Sequence, residues 1–577
     1  MTTKATSVPR EDEVVEAVRV DDAWALVEEF STLVRESGTD EEREAVGHIT
    51  RRLDAWGVPY TVHEPELLIS LPRGASLTAG GVEFRAKTPS MAVPTPEGGL
   101  TASIVYEESA QAKSVNDIFT ATHGDMEVAG KIVVTEGFPM PGRITDLEAR
   151  GAVGVVAVAP GKWIHEGICT PIWGSPDLGS WDQQPTMPVV SIARADGDRL
   201  IELIAAGDLE ATMDAQLDTR WRKIPVVVAE IRGQVEPDRF VLVHGHLDSW
   251  HVGIGDNATG DATLLEVARV LNEHRDGLAR SVRVAWWSGH SHGRYAGSTW
   301  FADEFALDLE RNAICHINCD SPGCRDADVF EDVYWMAEAE AFAKDAIRDF
   351  AGLPSAGRQP LRAGDISFNN LGLSTFFMLS STMTPELRAE KGYYAVGGCG
   401  GNIEWHTEGD TMEIADRDNL LRDIKLYTGA AFRAANTPVH PLDFRATLTQ
   451  LEETLRELAG GLDGLVDLDG SFARAEALRD ALEELYGANG ADSVQAARAV
   501  NDALLRIGRA LVRVLYASEG AYRQDPALHI PLLPDFAAAA DAIGTVPEGV
   551  VRTELVRARN RLDGALLDAT DAARAVA

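Results

Sequence analysis

Hydrophobic and polar positions alternate along the central part of the chain in blocks typical of an α/β fold. Residues 238–249 (DRFVLVHGHLDS), 281–289 (SVRVAWWSG) and 312–321 (NAICHINCDS) are near-continuous apolar runs. Residues 261–274 (DATLLEVARVLNEH) and 301–310 (FADEFALDLE) lie between them and are amphipathic at helical spacing. This pattern predicts a mixed, largely parallel sheet with helices on both faces. In such sheets ligands gather at the carboxyl ends of the strands.

The chain begins with two segments of helical periodicity. Residues 21–37 and 39–57 each place apolar side chains on one face. Thr39 and Asp40 are N-cap candidates for the second helix, and Gly57 is a suitable residue to end it. Two helices before a strand are a common way for an α/β domain to begin.

The pattern of hydrophobic and polar residues changes twice along the chain. In residues 66–224, short β-type runs (TASIVY, GKIVVTEG, GAVGVVAVAP, MPVVSIA) alternate with Gly- and Pro-containing turns, which predicts a β-rich insert. Residues 441–577 have helical periodicity throughout. We therefore predict an α/β domain from residues 1–65 and 225–440, the insert, and a C-terminal helical domain for packing or self-association. The clearest helical spacing joins Val500, Leu504, Ile507, Leu511 and Val514.

Composition excludes several classes of partner. A chain of 577 residues is too long for one hydrophobic core. A formal charge of −37 argues against nucleic acid and anionic membranes, which would repel it. No apolar run approaches the roughly 20 residues of a membrane span, and the first residues lack the apolar stretch of a signal peptide. Five scattered cysteines fit a reducing compartment, so we expect a cytoplasmic protein.

Metal-ligating residue types follow the predicted strands in a fixed order. His246 and Asp248 share one face of a strand, so Asp248 is placed to orient the imidazole of His246 on a metal. Asp256 lies in a glycine-flanked turn, Asp320 ends a strand, and His406 lies in the turn WHTEGDT. Taken singly, each has an ordinary structural explanation as a cap or a satisfied polar residue. The ordered set predicts a site for a divalent metal.

The order His-x-Asp, Asp-Asn-Ala-Thr-Gly, strand-end Asp and His-Thr-x-x-Asp-Thr resembles the zinc aminopeptidase family that includes leucyl aminopeptidases and glutamate carboxypeptidase II. By matching motifs, the resemblance implies that His246, Asp256, Asp320 and His406 are zinc ligands. It also implies that Asp248 is the orienting carboxylate.

Two further stretches carry the same resemblance. GKIVVTEG, DLEARGAVGVVAVAP and MPVVSIARADGDRLIELI resemble the protease-associated domain of several peptidases, which implies a wall on the substrate side. Residues 522–536 (YRQDPALHIPLLPDF) resemble part of the helical dimerisation domain of glutamate carboxypeptidase II and the transferrin receptor. The second resemblance implies a homodimer formed through the helical domain.

One segment departs from the family pattern. Residues 286–298 (WWSGHSHGRYAGS) stand where the family carries two adjacent glutamates, a general base and a metal ligand. Alignment from the strand puts His290 at the base position and Ser291 at the ligand position, whereas alignment from the following Gly-Ser turn gives Ser291 and His292. If the backbone stays extended, His290 and His292 face the same way. We then expect His292 to replace the ligand, and His290 to join the metal or act as the base.

An imidazole in place of a carboxylate removes one negative charge from the site. A single ion, or a nitrogen-preferring metal, is favoured: zinc first, with Fe, Ni or Cu as alternatives, and one or two ions remain open. We expect a metal-dependent hydrolase of an amide or peptide bond in a small molecule or short peptide. The alternatives are lyase, cyclisation or oxidative chemistry on the same fold, or an inactive binding homologue. Retention of the other ligands argues against an inactive protein.

Substrate-binding candidates flank the metal motifs. Arg294 replaces an apolar residue of the family turn and is suited to bind a substrate carboxylate through two hydrogen bonds. A surface salt bridge is the alternative role for this arginine. Tyr393 and Tyr394 lie in a glycine-rich stretch at 391–402, just before His406. This stretch is either a mobile loop over the site or a long turn.

Overall fold

The computed structural model describes residues 10–109, 124–377, 379–487 and 493–576. The strands, numbered in chain order, are β1 (Tyr60–His63), β2 (Glu66–Ala79), β3 (Val82–Arg85), β4 (Leu100–Tyr106), β5 (Ile132–Glu136), β6 (Gly154–Val158), β7 (Val189–Ile192), β8 (Glu210–Lys223), β9 (Val226–Ile231), β10 (Glu236–His246), β11 (Arg280–Trp287), β12 (Ala313–Asn318), β13 (Phe330–Tyr334), β14 (Ser355–Arg358) and β15 (Thr375–Phe376). The helices are Glu11–Glu16, Asp21–Phe30, Asp40–Trp56, Pro141–Ala149, Arg194–Ala205, Thr259–Glu273, His290–Gly293, Ala296–Glu304, Ala306–Asn312, Glu340–Ala346, Pro385–Glu390, Arg417–Asn436, Phe444–Ala459, Asp469–Gly487, Val494–Tyr516, Pro534–Asp541 and Glu548–Arg574.

The central sheet has the mixed, largely parallel form that the sequence predicts. Within the described residues it has six strands in the order β1-β9-β11-β10-β12-β15. Strands β11, β10, β12 and β15 are parallel to one another, and β9 is antiparallel to its neighbours β1 and β11. The α/β prediction is therefore confirmed.

Both faces of the sheet are buried, which explains the continuous apolar runs. On β10, Val241 and Val243 pack into the core that contains helix Thr259–Glu273. The alternate residues Phe240 and Leu242 pack on the other face, against the segment that contains Phe301. A strand with helices on both sides has no solvent face, so its sequence shows no alternation.

The N-terminal helices differ in how well the sequence defines them. Thr39 caps the second helix by accepting a hydrogen bond from the Glu42 N–H, and Gly57 ends it in the left-handed conformation, as predicted. The helix predicted over residues 21–37 ends at Phe30, earlier than predicted. The reason is tertiary: Arg35 turns inward and its guanidinium donates to the carbonyls of Leu247, Val252 and Gly253.

A second sheet is built from residues 66–223. In the part of the chain that is described, its seven strands follow the order β3-β2-β8-β4-β5-β6-β7. Strands β2 and β8 pair antiparallel along nearly their whole length, so the chain enters and leaves this sheet through one long ribbon. The β-rich content matches the expectation for this stretch. Its identity as a protease-associated domain stays a prediction.

The C-terminal helices share a hydrophobic core with the central sheet. At their junction, the buried guanidinium of Arg509, on helix Val494–Tyr516, donates to four backbone carbonyls. Two of the carbonyls belong to Leu309 and Glu310 of helix Ala306–Asn312, the third to Ala313 at the start of β12, and the fourth to Gly372. One side chain therefore fixes the helical region to the sheet. Among the described residues, no helix is long and apolar enough to cross a membrane.

We predict that Arg509→Met lowers the free energy of unfolding by about 3 kcal/mol, because buried carbonyls left without donors cost on the order of 1–3 kcal/mol each. Denaturant unfolding followed by tryptophan fluorescence measures the change. Arg506→Met on the same helix is the control, since Arg506 is exposed. An equal effect of the two substitutions would contradict this role of Arg509.

Candidate metal centre

Three potential metal ligands meet at the carboxyl ends of β10, β11 and β12. His246 is the last residue of β10, His290 begins the helical turn after β11, and Asp320 follows β12. One ligand atom from each of these residues lies within 4.8 Å of the other two. All three side chains are buried. Two imidazoles and a carboxylate are a donor set that suits zinc and other borderline metals.

The tautomer of His246 follows from its hydrogen bonds. Its Nδ1 donates to the backbone carbonyl of Asp248 at 2.8 Å, so Nε2 faces the site without a proton of its own when a metal binds. Nε2 lies 2.9 Å from Oδ1 of Asp256 and 3.9 Å from Oδ1 of Asp320. The backbone carbonyl of Asp248 therefore holds the imidazole of His246, and not the Asp248 carboxylate as predicted, which accepts the N–H groups of His290 and Ser291 instead.

Asp256 is held by the turn that contains Asp410. The Asp410 carboxylate accepts the N–H groups of Gly255 and Asp256 at 2.7 and 3.0 Å. Burial raises the pKa of Asp410 to about 7. The next residue, Asn257, connects the Asp256 loop to the segment that follows β12. Its side chain donates to the carbonyl of Cys319 and accepts the N–H of Ser321. The loop that presents Asp256 is therefore fixed from two sides.

His406 faces Asp256 from the opposite side of the centre. Its Nε2 lies 2.9 Å from Oδ2 of Asp256, and its Nδ1 donates to the carbonyl of Glu166 at 3.1 Å. The N–H of Glu166 returns a hydrogen bond of 2.8 Å to the carbonyl of His406. Glu166 follows β6 of the second sheet, so that part of the chain positions a residue of the centre.

His290 has a carboxylate partner that sequence reasoning missed. Nδ1 of His290 lies 2.9 Å from Oδ2 of the fully buried Asp365, and Oδ1 of Asp365 accepts the hydroxyl of Ser298 at 2.6 Å. The ring of His290 stacks on His246 at 3.8 Å between centroids. A carboxylate behind a ligating imidazole fixes its tautomer and raises its basicity. Asp365 lies about seventy residues further along the chain, in a loop with no motif to mark it.

The expected extended backbone at residues 290–292 is wrong, because the segment forms the helical turn His290–Gly293. Both oxygens of the Asp248 carboxylate cap this turn by accepting the N–H groups of His290 and Ser291. The side chain of His292 consequently points away from His246, His290 and Asp320. Its Nδ1 lies 3.0 Å from Oγ of Ser37, in a fully buried position. Of the two histidines, the structure brings His290 into the ligand cluster and leaves His292 outside.

A cavity of about 60 Å³ adjoins the candidate metal ligands. Arg294 lies in its wall, together with Asp256, His290, Asp320 and His406. Tyr393 and Tyr394 are not among its described lining residues. Tyr394 instead places its hydroxyl 2.7 Å from Nε2 of His165, and Lys391 lies over the ring of Tyr393. The remaining wall is largely apolar and includes Phe138, Met140, Ile168, Tyr295, Leu379 and Trp405.

Comparison with known proteins agrees with the geometry. Residues 226–427 match the model of Peptidase family M28. A probable glutamate carboxypeptidase VP8 of Zea mays is 24% identical over 493 residues, which are 73% of this chain and 68% of that protein. Leucine aminopeptidase 2 of Trichophyton rubrum is 24% identical over 306 residues, or 51% of this chain. The match spans only 57% of that fungal protein's length.

Solved structures share the fold. An aminopeptidase from Aneurinibacillus sp. strain AM-1 has a TM-score of 0.53 at 18% identity, covering 74% of this chain and 96% of that one. A zinc aminopeptidase from Bacillus subtilis has a TM-score of 0.52 at 20% identity, with the same coverage. The family resemblance carried by the metal motifs is confirmed: residues 226–427, which contain these motifs, match Peptidase family M28.

Proposed function

We propose that the chain is a metal-dependent hydrolase that cleaves an amide or peptide bond in a small substrate. The observation that carries this proposal is that ligand atoms of His246, His290 and Asp320 lie within 4.8 Å of one another, beside a cavity that His290 and Asp320 also line. The names of the relatives, an aminopeptidase and a glutamate carboxypeptidase, support the reaction class.

We further propose that one resident ion is held by His246, His290 and Asp320, with Asp256 beside them. A second ion would have only Asp256 and His406 as described protein ligands, because Ser291 and His292 turn away. Catalytic zinc sites commonly have three protein ligands and one open position, a requirement that only the first group meets. Zinc is the metal that the donor set and the relatives favour.

When bound, zinc acts as a Lewis acid that polarises a substrate carbonyl and lowers the pKa of water to about 7. The chain must supply the proton transfers. His290 is committed to the metal, whereas His406 lines the cavity, with its Nδ1–H bonded to the Glu166 carbonyl and its Nε2 2.9 Å from Oδ2 of Asp256. We propose that Asp256 turns its carboxylate to the metal, which leaves Nε2 of His406 without a proton, so that this nitrogen accepts the proton of the attacking water and later donates it to the leaving amine.

A second candidate function has a specific observation in its favour. Two histidines and one carboxylate, His246, His290 and Asp320, are the residue types of the facial triad that holds iron(II) in non-haem oxygenases. Metal analysis separates the two candidates, because iron as the resident metal would support oxidative chemistry and zinc would support hydrolysis.

The first test is metal-dependent turnover. We expect protein purified without chelators to contain about one equivalent of zinc, the number that a three-ligand site holds. It should release amine from small aminoacyl and acyl-amino acid substrates. Removal of zinc by a chelator should abolish release, and added zinc should restore it. Metal-free protein as purified, or turnover that survives chelation, would contradict the hydrolase proposal.

Histidine variants separate the roles around the ion. We expect His290→Ala to lose the metal and His292→Ala to keep it, with His292→Asn as the substitute if the alanine variant is unstable. His406→Ala should keep the metal while kcat falls by about 10²–10⁴-fold, the usual contribution of a general acid–base group. Metal content and steady-state rates are measured on the same preparations. Loss of metal from the His292 variants would restore His292 as a ligand.

Asp365 should act through His290. We expect Asp365→Asn to weaken zinc affinity by about 10–100-fold, since the amide no longer holds the imidazole as a basic ligand. Competition with a chromophoric chelator measures the affinity. Ser298→Ala removes a hydrogen bond to the same carboxylate and should have a smaller effect. Unchanged affinity in both variants would show that Asp365 does not tune the ligand.

Three sequence-based expectations stay proposals. The stretch 66–224 is proposed as a protease-associated domain and the substrate-side wall of the α/β domain formed by residues 1–65 and 225–440. Residues 441–577 are proposed to form a homodimer interface. A cytoplasmic location stays an expectation from the scattered cysteines.

A further inference from the structure

Arg294 differs from the other buried arginines of the described chain. Seven arginines there have buried side chains. Six of them make at least one hydrogen bond of 2.7 Å or shorter to a carboxylate or a carbonyl: Arg35, Arg143, Arg269, Arg280, Arg362 and Arg509. Arg294 makes one contact at 3.5 Å, from Nη1 to the carbonyl of Ile168, and its Nε has no partner.

A buried guanidinium without a partner is costly to the fold. Arg294 is 3% exposed and has no ion pair with any described residue, although its side chain must be desolvated. Its nearest aromatic ring, that of Tyr295, lies 5.3 Å away, a distance that gives only a modest cation–π attraction. Uncompensated charge in a folded protein is typical of groups that bind a ligand.

The backbone at this position adds to that cost. Arg294 and Tyr295 both have positive φ angles, of 51° and 68°. Two consecutive residues with side chains in the left-handed region are strained, and such strain collects at functional sites. The conformation directs Arg294 into the wall of the cavity that also contains His290 and Asp320.

We propose that Arg294 binds a carboxylate group of the substrate. The substrate class is then small amides that carry a carboxylate at the end opposite the metal, with an apolar body between the two. A guanidinium and a carboxylate form paired, charge-assisted hydrogen bonds. The carboxylates of Asp256 and Asp320 lie in the same wall but belong to the metal centre, so they do not neutralise Arg294. The cleavage step rests on the proposed hydrolase function, whereas the binding step does not.

The cavity sets the size and character of this substrate. Phe138, Met140 and Ile168 of residues 66–224 form one side, and Leu379 and Trp405 contribute apolar surface elsewhere. The cavity volume of about 60 Å³ corresponds to roughly four to six water molecules. A short apolar chain between carboxylate and amide fits these walls, and a long peptide does not fit without opening them.

Binding of an isosteric pair tests the proposal directly. Pentanoate and 1-nitrobutane have nearly the same shape, but only pentanoate is charged. We expect the zinc-loaded protein to bind pentanoate at least about tenfold more tightly in calorimetric titration. Arg294→Met should reduce the ratio to near one, and Arg294→Lys should retain part of it. An unchanged preference in Arg294→Met would place the carboxylate on the metal and overturn the proposal.

Thermal stability distinguishes a binding residue from a structural one. We expect Arg294→Met to keep or raise the melting temperature, because it removes a buried charge without a partner. Arg362→Met is the matched control. Arg362 is also buried, but it donates to the Asp525 carbonyl at 2.6 Å and lies over the Trp173 ring, so its loss should lower the melting temperature. Equal destabilisation by the two substitutions would mean that Arg294 serves the fold.

Turnover assays show whether cleavage, as well as binding, depends on a carboxylate in the substrate. An apolar dipeptide has an amine and a carboxylate, its N-acetyl amino acid counterpart has only the carboxylate, and an aminoacyl anilide has only the amine. We expect the first two to depend on Arg294 through KM, and the anilide to be a poor substrate whatever residue 294 is. If no compound is cleaved but the pentanoate preference holds, the hydrolase proposal fails and the carboxylate site stands. An anilide cleaved as efficiently as the dipeptide would contradict the assignment.

Discussion

The arrangement of the centre depends on the Asp248 carboxylate at the start of the helical turn His290–Gly293. Its two oxygens accept the N–H groups of His290 and Ser291, and Oδ2 also accepts the hydroxyl of Ser37. Burial alone would raise the pKa of Asp248, but hydrogen bonding with His292 and the nearby imidazoles lower it, so the group stays ionised. A carboxylate at the N-terminal end of a helical turn is stabilising, because the free N–H groups and the local dipole point toward it.

This cap decides which histidine lies beside the other candidate ligands. In a helical turn, residues two positions apart point in very different directions, whereas in a strand they share a face. His290 therefore faces His246 and Asp320, and His292 is directed toward Ser37 in the interior. The same turn sends Arg294 into the cavity. The Asp248 carboxylate thus fixes the turn that orients three side chains. These are the candidate ligand His290, the buried His292 and the proposed substrate-binding Arg294.

A buried carboxylate lies directly behind one of the candidate metal ligands. Asp365 places a carboxylate against Nδ1 of His290, at 2.9 Å. The candidate ligand is thus an imidazole paired with a carboxylate, a combination that favours a borderline metal such as zinc over harder ions. On the other side, Glu166 orients His406 through its backbone. Residues remote in sequence therefore supply much of the chemistry of the site.

The sequence by itself determined the α/β fold, the β-rich stretch and the helical end, because burial and helical periodicity leave direct marks on residue order. The order of the motifs also predicted that His246, Asp256, Asp320 and His406 lie close together, as the distances among these side chains show. Only the tertiary structure places His290 beside His246 and Asp320 and His292 beside Ser37, and only it shows Asp365 and the isolation of Arg294. Local spacing could not do this, because a four-residue segment takes its shape from partners far away in the chain. The contacts that fix it, from Ser37, Asp248 and Asp365, exist only once the strands are assembled.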